Sequence, residues 1–242
     1  MIKLDALTCK YDTQSVFEDI SLKIKRHITI LGANGSGKST LAKTICSLIP
    51  YNGNIFIEDK NIQELSLKEK AKLIAYIPAK LQIYDTDISV GEFVLLGRFA
   101  YKKSFFDYSD EDKKIANEML SYVNIAHLSE HLVSELSSGE QQLTLMAQAL
   151  TQQSKIIIFD EPTANLDPHN AKLMATHIKK LKNEHTVILI THDLHLAAFI
   201  NSPVLFLKNK SLHFYKKEDF FDDATLEQLY GVAFESLAVK YD

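Results

Sequence analysis

The chain is poor in cysteine, glycine and proline, carries no surplus of basic charge, and has no long apolar run. Each shortage removes a class. The two cysteines, Cys9 and Cys46, lack the paired spacing of a metal site. Both lie in apolar-patterned stretches, so buried free thiols are expected rather than a disulfide. Eight glycines and five prolines in 242 residues exclude a low-complexity chain. A net charge of −4, with no long run of Lys or Arg, argues against a basic nucleic-acid-binding face, and no nucleic-acid partner is expected. The opening MIKLDALTCKYD has no apolar run of signal-peptide length. No stretch approaches the roughly 18 apolar residues of a membrane span. A soluble, cytoplasmic protein is expected, with any membrane role supplied by a partner.

What is present is a 46% hydrophobic chain, enough for one large domain or a domain with a sub-lobe. Short β-rich segments open it at Ile2–Cys9, Val16–Ile24 and His27–Leu31. GANGSGKST follows, and Leu41, Ile45 and Leu48 then keep helical spacing until Pro50. NGNIFIEDKNI reads as a hairpin arm, and Leu73–Ile77 is a short apolar run ending at Pro78. From about Ala79 to Ser154 helical signals dominate. Ser109 to Asp112 resembles a capping box ahead of Ile115, Met119 and Val123. KIIIF, TVILI and PVLFL are uninterrupted apolar runs, the mark of parallel strands covered on both faces. Asp167-Pro168 reads as an N-cap with Pro at the first helical position. The pattern predicts an α/β fold with a mainly parallel core sheet (1–78 and 155–242) and an inserted helical subdomain over about 79–154.

Gly32 to Ser39 fits G-x-x-x-x-G-K-[ST]. The apolar strand before it and the helix after it are the context this motif needs. Backbone N–H groups of such a loop curl around phosphates, and the helix N-terminus adds positive potential. The binding set is Gly32, Asn34, Gly35, Ser36, Gly37, Lys38, Ser39 and Thr40. Lys38 is expected on the β/γ-phosphates, Ser39 on Mg²⁺, and Thr40 on phosphate. IIIFDE sets Asp160 and Glu161 at the C-terminal end of a buried strand, the ligand edge of an α/β sheet. Asp160 is expected to hold Mg²⁺ through water and Glu161 to orient the attacking water. His192 follows TVILI and reaches the same edge, suited to sensing a γ-phosphate. His195 makes an i, i+3 pair with it, but no third and fourth metal ligand is evident, so His195 reads as a solvated helix residue. Tyr11 is either a base-stacking aromatic or a core or turn tyrosine. A second anion-type turn, SELSSGEQQ, opens a helix about 100 residues after the first.

These elements in this order resemble the ATP-binding subunit of an ABC transporter, over essentially the whole chain. The resemblance implies the ABC ATPase form of the P-loop fold, with an antiparallel β subdomain beside the parallel core. LSSGE matches the family's signature loop, DEPTANLD its Walker B strand and the D-loop that brings Asp167 to the nucleotide. His192 matches the switch histidine and Tyr11 the adenine-stacking aromatic. Members act as head-to-tail dimers, which implies a homodimer here, so Ser137, Ser138, Gly139 and Glu140 would serve the partner's ATP. Glu161, His192 and Lys38 are the implied catalytic set, ATP and Mg²⁺ the implied cofactors.

Two positions depart from the pattern. Ser138 stands where the family usually has glycine, a strain if that position needs positive φ. Ala79 stands at the Q-loop position, with Gln82 three residues on as a substitute. VLLGRFAYKKSFFDYSDED, THDLHLAA and LEQLYGV resemble importers of iron chelates, haem and cobalamin. That implies integral membrane permease subunits as partners, a substrate-binding protein indirectly, and a place on the cytoplasmic face of the membrane. The aromatics Phe99, Tyr101, Phe105, Phe106 and Tyr108 either dock a permease helix or pack within the helical lobe. A soluble non-transport ABC ATPase and a regulatory nucleotide-binding module with weakened hydrolysis stay open as alternatives.

Overall fold

The computed structural model describes residues 1–11, 14–82, 87–102 and 108–231, with the side chain of Tyr11 excepted. Phe105, Phe106 and Val232, and the Tyr11 side chain, lie outside the described part. The chain forms two compact units, 1–64 with 178–242, and 65–177.

The first unit opens with β1 (Ile2–Tyr11) and β2 (Gln14–Ile24), antiparallel to each other. β3 (Ile28–Leu31) follows, then α1 (Lys38–Ile45). β4 (Asn52–Ile57) pairs antiparallel with β1, and β5 (Lys60–Asn61) with β4. The expected hairpin arm is thus present. Its turn residues Glu58 and Asp59 both take positive φ, the backbone that matches strand twist in a two-residue hairpin.

The second unit starts with α2 (Leu67–Leu73) and β6 (Ile74–Ile77). Helices α3 (Val90–Leu95), α4 (Asp110–Tyr122) and α5 (Ser138–Thr151) come next. β7 (Ile156–Asp160), fully buried, pairs parallel with β6. Four helices, α2 to α5, begin with the same device. Ser66, Ser89, Ser109 and Ser137 each accept from the amide three residues on, and the acid there caps back. Helix α6 (Pro168–Leu181) carries the chain across residue 178 into the first unit.

There β8 (Thr186–Ile190), α7 (Leu194–Ile200), β9 (Val204–Lys208) and β10 (Ser211–Tyr215) complete the strands, with α8 (Lys217–Phe220) and α9 (Asp223–Tyr230) behind them. β3 lies between β8 and β9, parallel to both, and β10 returns antiparallel along β9. β3 is buried along its whole length, as a strand with covered faces should be. Phe206, Phe220 and Leu226 close a core under the C-terminal helices. Cys9 and Cys46 are buried free thiols. Among the described residues no helix is long and apolar enough to cross a membrane.

Candidate functional site

In the first unit, parallel pairing delivers two predicted groups to one sheet edge. Ile30 pairs with Ile190, and the Thr191 amide donates to the Ile30 carbonyl at 3.1 Å. Gly32 and His192 each stand two residues beyond that pair, so the loop 32–37 and His192 leave the same C-terminal end of the strands. The loop is shaped by glycine where backbone demands it. Gly37 is the N-cap of α1 with φ of 101°, and a Cβ there would lie 2.4 Å from Val16 Cγ1. Gly35 also takes positive φ, 77°. Asn34 and Ser39 are exposed, and Thr40 is half-buried.

Lys38 is the first residue of α1 and is 6% exposed. Its Nζ donates to the carbonyls of Gly32 at 2.8 Å and Ala33 at 3.0 Å. The ammonium is therefore folded over the loop it would share with phosphate. Ser36 Oγ is buried with no hydrogen-bond partner, so the loop keeps hydrogen-bonding capacity that its own fold does not use. His192 is exposed, and Asp193 after it caps α7.

In the second unit, β6 and β7 do the same for another group of residues. Ile77 pairs with Phe159, which puts Pro78-Ala79 and Asp160-Glu161 at one edge. Asp160 is 2% exposed, and Tyr76 Oη donates to its Oδ2 at 2.7 Å. Glu161 has φ of 49°. Left-handed backbone costs a non-glycine residue about 1–2 kcal/mol, and such strain concentrates at functional turns.

The signature-like turn is also a helix start. Ser137 Oγ donates to Glu140 Oε2 at 2.6 Å, and the Ser137 amide donates to the same oxygen at 2.8 Å. These bonds hold the Glu140 carboxyl below the ordinary glutamate range. Ser138 opens α5 in helical backbone and is absent from the positive-φ residues, so the strain anticipated there does not arise. Its Oγ donates to the Asn165 carbonyl at 3.3 Å. Gly139 is needed for another reason. A Cβ at that position would lie 2.6 Å from Asn170 Nδ2. Asn170 in turn donates to Asp167, which caps α6 through the His169 and Asn170 amides. The Asn170 amide and side chain, and then the His169 amide, hold the Asp167 carboxyl below its usual value.

Ala79 offers its backbone instead of a side chain. Its carbonyl accepts from Gln142 Nε2 at 2.8 Å, and Gln142 Oε1 is buried without a partner. Ala79, Ser138, Gln142 and Asn165 line one cleft of about 350 Å³ in this unit. Gln82 is exposed. Sequence reasoning missed Tyr76, Gln142 and Asn170. Strand alternation from Ile77 and helical spacing from Ser138 are the signals that place the first two.

The aromatics divide. Phe99 is 63% exposed. Tyr101 packs within the unit, its ring 3.7 Å from the Arg98 guanidinium carbon and its hydroxyl donating to the Gln152 carbonyl at 3.1 Å. Tyr108 lies under the Lys102 ammonium at 4.3 Å.

The family model described as "ABC transporter" matches residues 17–164. The probable iron chelatin transport ATP-binding protein of Helicobacter pylori is 34% identical over 218 residues, 88% of this chain and 85% of that protein. The manganese transport system ATP-binding protein MntB of Bacillus subtilis is 32% identical over 235 residues, 95% of this chain and 92% of that protein. The dimeric structure of MJ0796, a bacterial ABC transporter cassette, superposes with a TM-score of 0.78 at 28% identity, covering 90% of this chain and 99% of that one. This chain belongs to the ABC transporter family and is one of its ATP-binding, ATP-hydrolysing subunits.

Proposed function

We propose that this subunit powers an importer that takes up an iron-siderophore or related metal chelate through a membrane permease. Two copies close head to tail around ATP at the cytoplasmic face. In this reading Lys38 and the amides of residues 32–40 hold the β- and γ-phosphates. Tyr11 stacks on the adenine, and Asp167 approaches the nucleotide from the D-loop. Ser137, Ser138, Gly139 and Glu140 of one copy face the γ-phosphate bound by the other. The helical subdomain, about 79–154, meets the permease.

Mg²⁺ takes hard oxygen donors, and the Asp160 carboxylate and Ser39 hydroxyl are of that kind. When bound, the ion would neutralise phosphate charge. Glu161 would orient and deprotonate the attacking water, and His192 would hydrogen-bond the γ-phosphate. The observation that carries the ATPase reading is the loop of residues 32–38. Its lysine is held over the loop carbonyls and its Ser36 hydroxyl lacks a partner.

The cargo reading rests on VLLGR, THDLHLAA and LEQLYGV, together with the iron chelatin name carried by one relative. Another relative is named for manganese, so uptake assays decide. Cells lacking this subunit are expected to lose uptake of ⁵⁵Fe-siderophore and to keep uptake of ⁵⁴Mn²⁺; the reverse pattern overturns the chelate reading. For catalysis, general-base removal costs roughly 10²–10⁴-fold in rate. Glu161→Gln should therefore lower ATP turnover by that order while ATP still binds. Wild-type turnover in that variant overturns the role given to Glu161.

A further inference from the structure

The end of β3 away from Gly32 carries a second feature of the first unit, a cavity of about 480 Å³. The β2–β3 connection, Lys182, the turn between α7 and β9, and Phe214 of β10 line it. Lys23, Lys25, Arg26 and Lys182 contribute cations, and no carboxylate is among the described lining residues. The first three are exposed and make no distinctive demand.

Lys182 differs. It is half-buried, and its Nζ donates to the carbonyls of Ile200 at 2.6 Å and Asn201 at 3.3 Å. Burial, then the charges of Lys179, Lys217 and Arg26, draw its pKa below the ordinary lysine value. His27 sits in the same field. Its Nδ1 accepts from the Val187 amide at 3.2 Å, which leaves the proton on Nε2 as a donor. Burial, then Lys182 and Arg26, lower its pKa to about 4.

Ser202 is the other oddity. It is 2% exposed, and its Oγ has no hydrogen-bond partner. Phe214, 61% exposed, presents a ring at the same cavity. Gathering like charges and orphaning a buried hydroxyl both oppose folding. An anion placed among them reverses both penalties, because it neutralises the field and supplies an acceptor. None of these residues belongs to the nucleotide-site set, whose loop 32–37 leaves the other end of β3.

We propose that this cavity binds a small organic anion, with a carboxylate, phosphate or sulfonate held by Lys182, Arg26 and the Ser202 hydroxyl and an apolar body against Phe214. An occupant here would sit apart from the loop of residues 32–37, at the opposite end of β3. The inference does not depend on the cargo of the transporter.

The test uses the full-length, nucleotide-free subunit titrated with anilinonaphthalene sulfonate, an aromatic anion that fits the stated chemistry. One saturable site per chain is expected, unaffected by ATP. Loss of a charge-assisted contact should weaken binding about tenfold or more. That loss is expected for Arg26→Gln combined with Lys182→Met. Lys182 also holds two backbone carbonyls, so Lys25→Gln with Arg26→Gln, both exposed, serves as the second variant and should weaken binding severalfold. Phe214→Ala should do the same. Uncharged N-phenylnaphthylamine should bind about tenfold less tightly than the sulfonate. Equal dye affinity in wild type, the exposed double variant and Phe214→Ala overturns the proposal, as does displacement of the dye by ATP. Co-sedimentation with phosphatidylglycerol vesicles in place of saturable dye binding would assign the cations to a membrane surface and overturn it equally.

Discussion

Ser138 shows how a motif departure changes meaning once its backbone is known. Against a two-glycine pattern, serine raises the question of positive φ. The residue instead occupies the first position of α5 in helical backbone, and its hydroxyl reaches the Asn165 carbonyl. Glycine there has nothing to relieve and would add unfolded-state freedom. Ser138→Gly is therefore expected to lower unfolding free energy by about 0.5 kcal/mol, the difference between serine and glycine in helical backbone. No gain in ATPase rate should accompany it. Chemical denaturation and steady-state turnover of the variant check both; a marked rate gain would show that serine detunes the site. Ala79 carries the opposite lesson. Its side chain is mute, but its carbonyl is bound by Gln142, whose second amide atom is buried without a partner. What residue 79 contributes could not be read from the letter Ala, because the contact is made by the backbone and by a residue 63 positions away.

At the scale of elements, helix starts were legible in principle and only partly read. Ser-x-x-Glu occurs at Ser66, Ser89 and Ser137, and Ser-x-x-Asp at Ser109. All four form reciprocal caps. The one at Ser137 is easily taken for an anion loop alone, since the same residues satisfy helix amides. VLLGR has a similar second identity. Arg98 is 5% exposed, and its Nε donates to Asp112 Oδ1 at 2.8 Å. The same guanidinium donates to the Thr151 carbonyl at 3.1 Å and Gln153 Oε1 at 2.8 Å. One side chain thus joins the segment after α3 to the start of α4 and the end of α5. Gly97 beside it admits no Cβ, which would stand 2.3 Å from the Gln148 carbonyl oxygen. Removing one partner of a buried pair leaves a bare charge, at a cost of about 3–5 kcal/mol. Arg98→Met should destabilise by that order in urea, and Arg98→Met with Asp112→Asn should recover part of the loss. The pH dependence has a definite sign. Burial raises the Asp112 pKa, but hydrogen bonds from Ser109 and Arg98 outweigh it and hold the carboxyl below its usual range. That stabilisation is present above the unfolded-state value near ~3.9 and lost as pH falls through the lower folded value. Arg98→Met should therefore move the acid-unfolding midpoint upward.

On the whole-molecule scale, the parallel strands were legible because covered faces leave unbroken apolar runs, as in KIIIF and TVILI. The loop of residues 32–37 was legible because its glycines, all three at positive φ, mark the turn between β3 and α1. The strand order was not, since it depends on pairings such as Ile30 with Ile190 that no local pattern encodes. β10 was also missed. It alternates partly exposed residues at a sheet edge and has no apolar run to announce it. A second copy is likewise invisible in local pattern, yet the proposed function requires one, and stoichiometry can test it. Lys38→Ala disables a P-loop and leaves its signature loop intact. Ser137→Arg does the converse by placing a bulky cation where the partner's phosphate would sit. Neither homodimer then has a complete site. Random mixing of equal amounts makes about half the dimers mixed, each with one complete site out of two, so about a quarter of wild-type ATPase activity should return. If each chain instead used its own signature loop, mixing would restore nothing. Activity measured against mixing ratio should peak at equal proportions, because mixed dimers are then most abundant, and dilution below the dimer dissociation range should abolish the recovery.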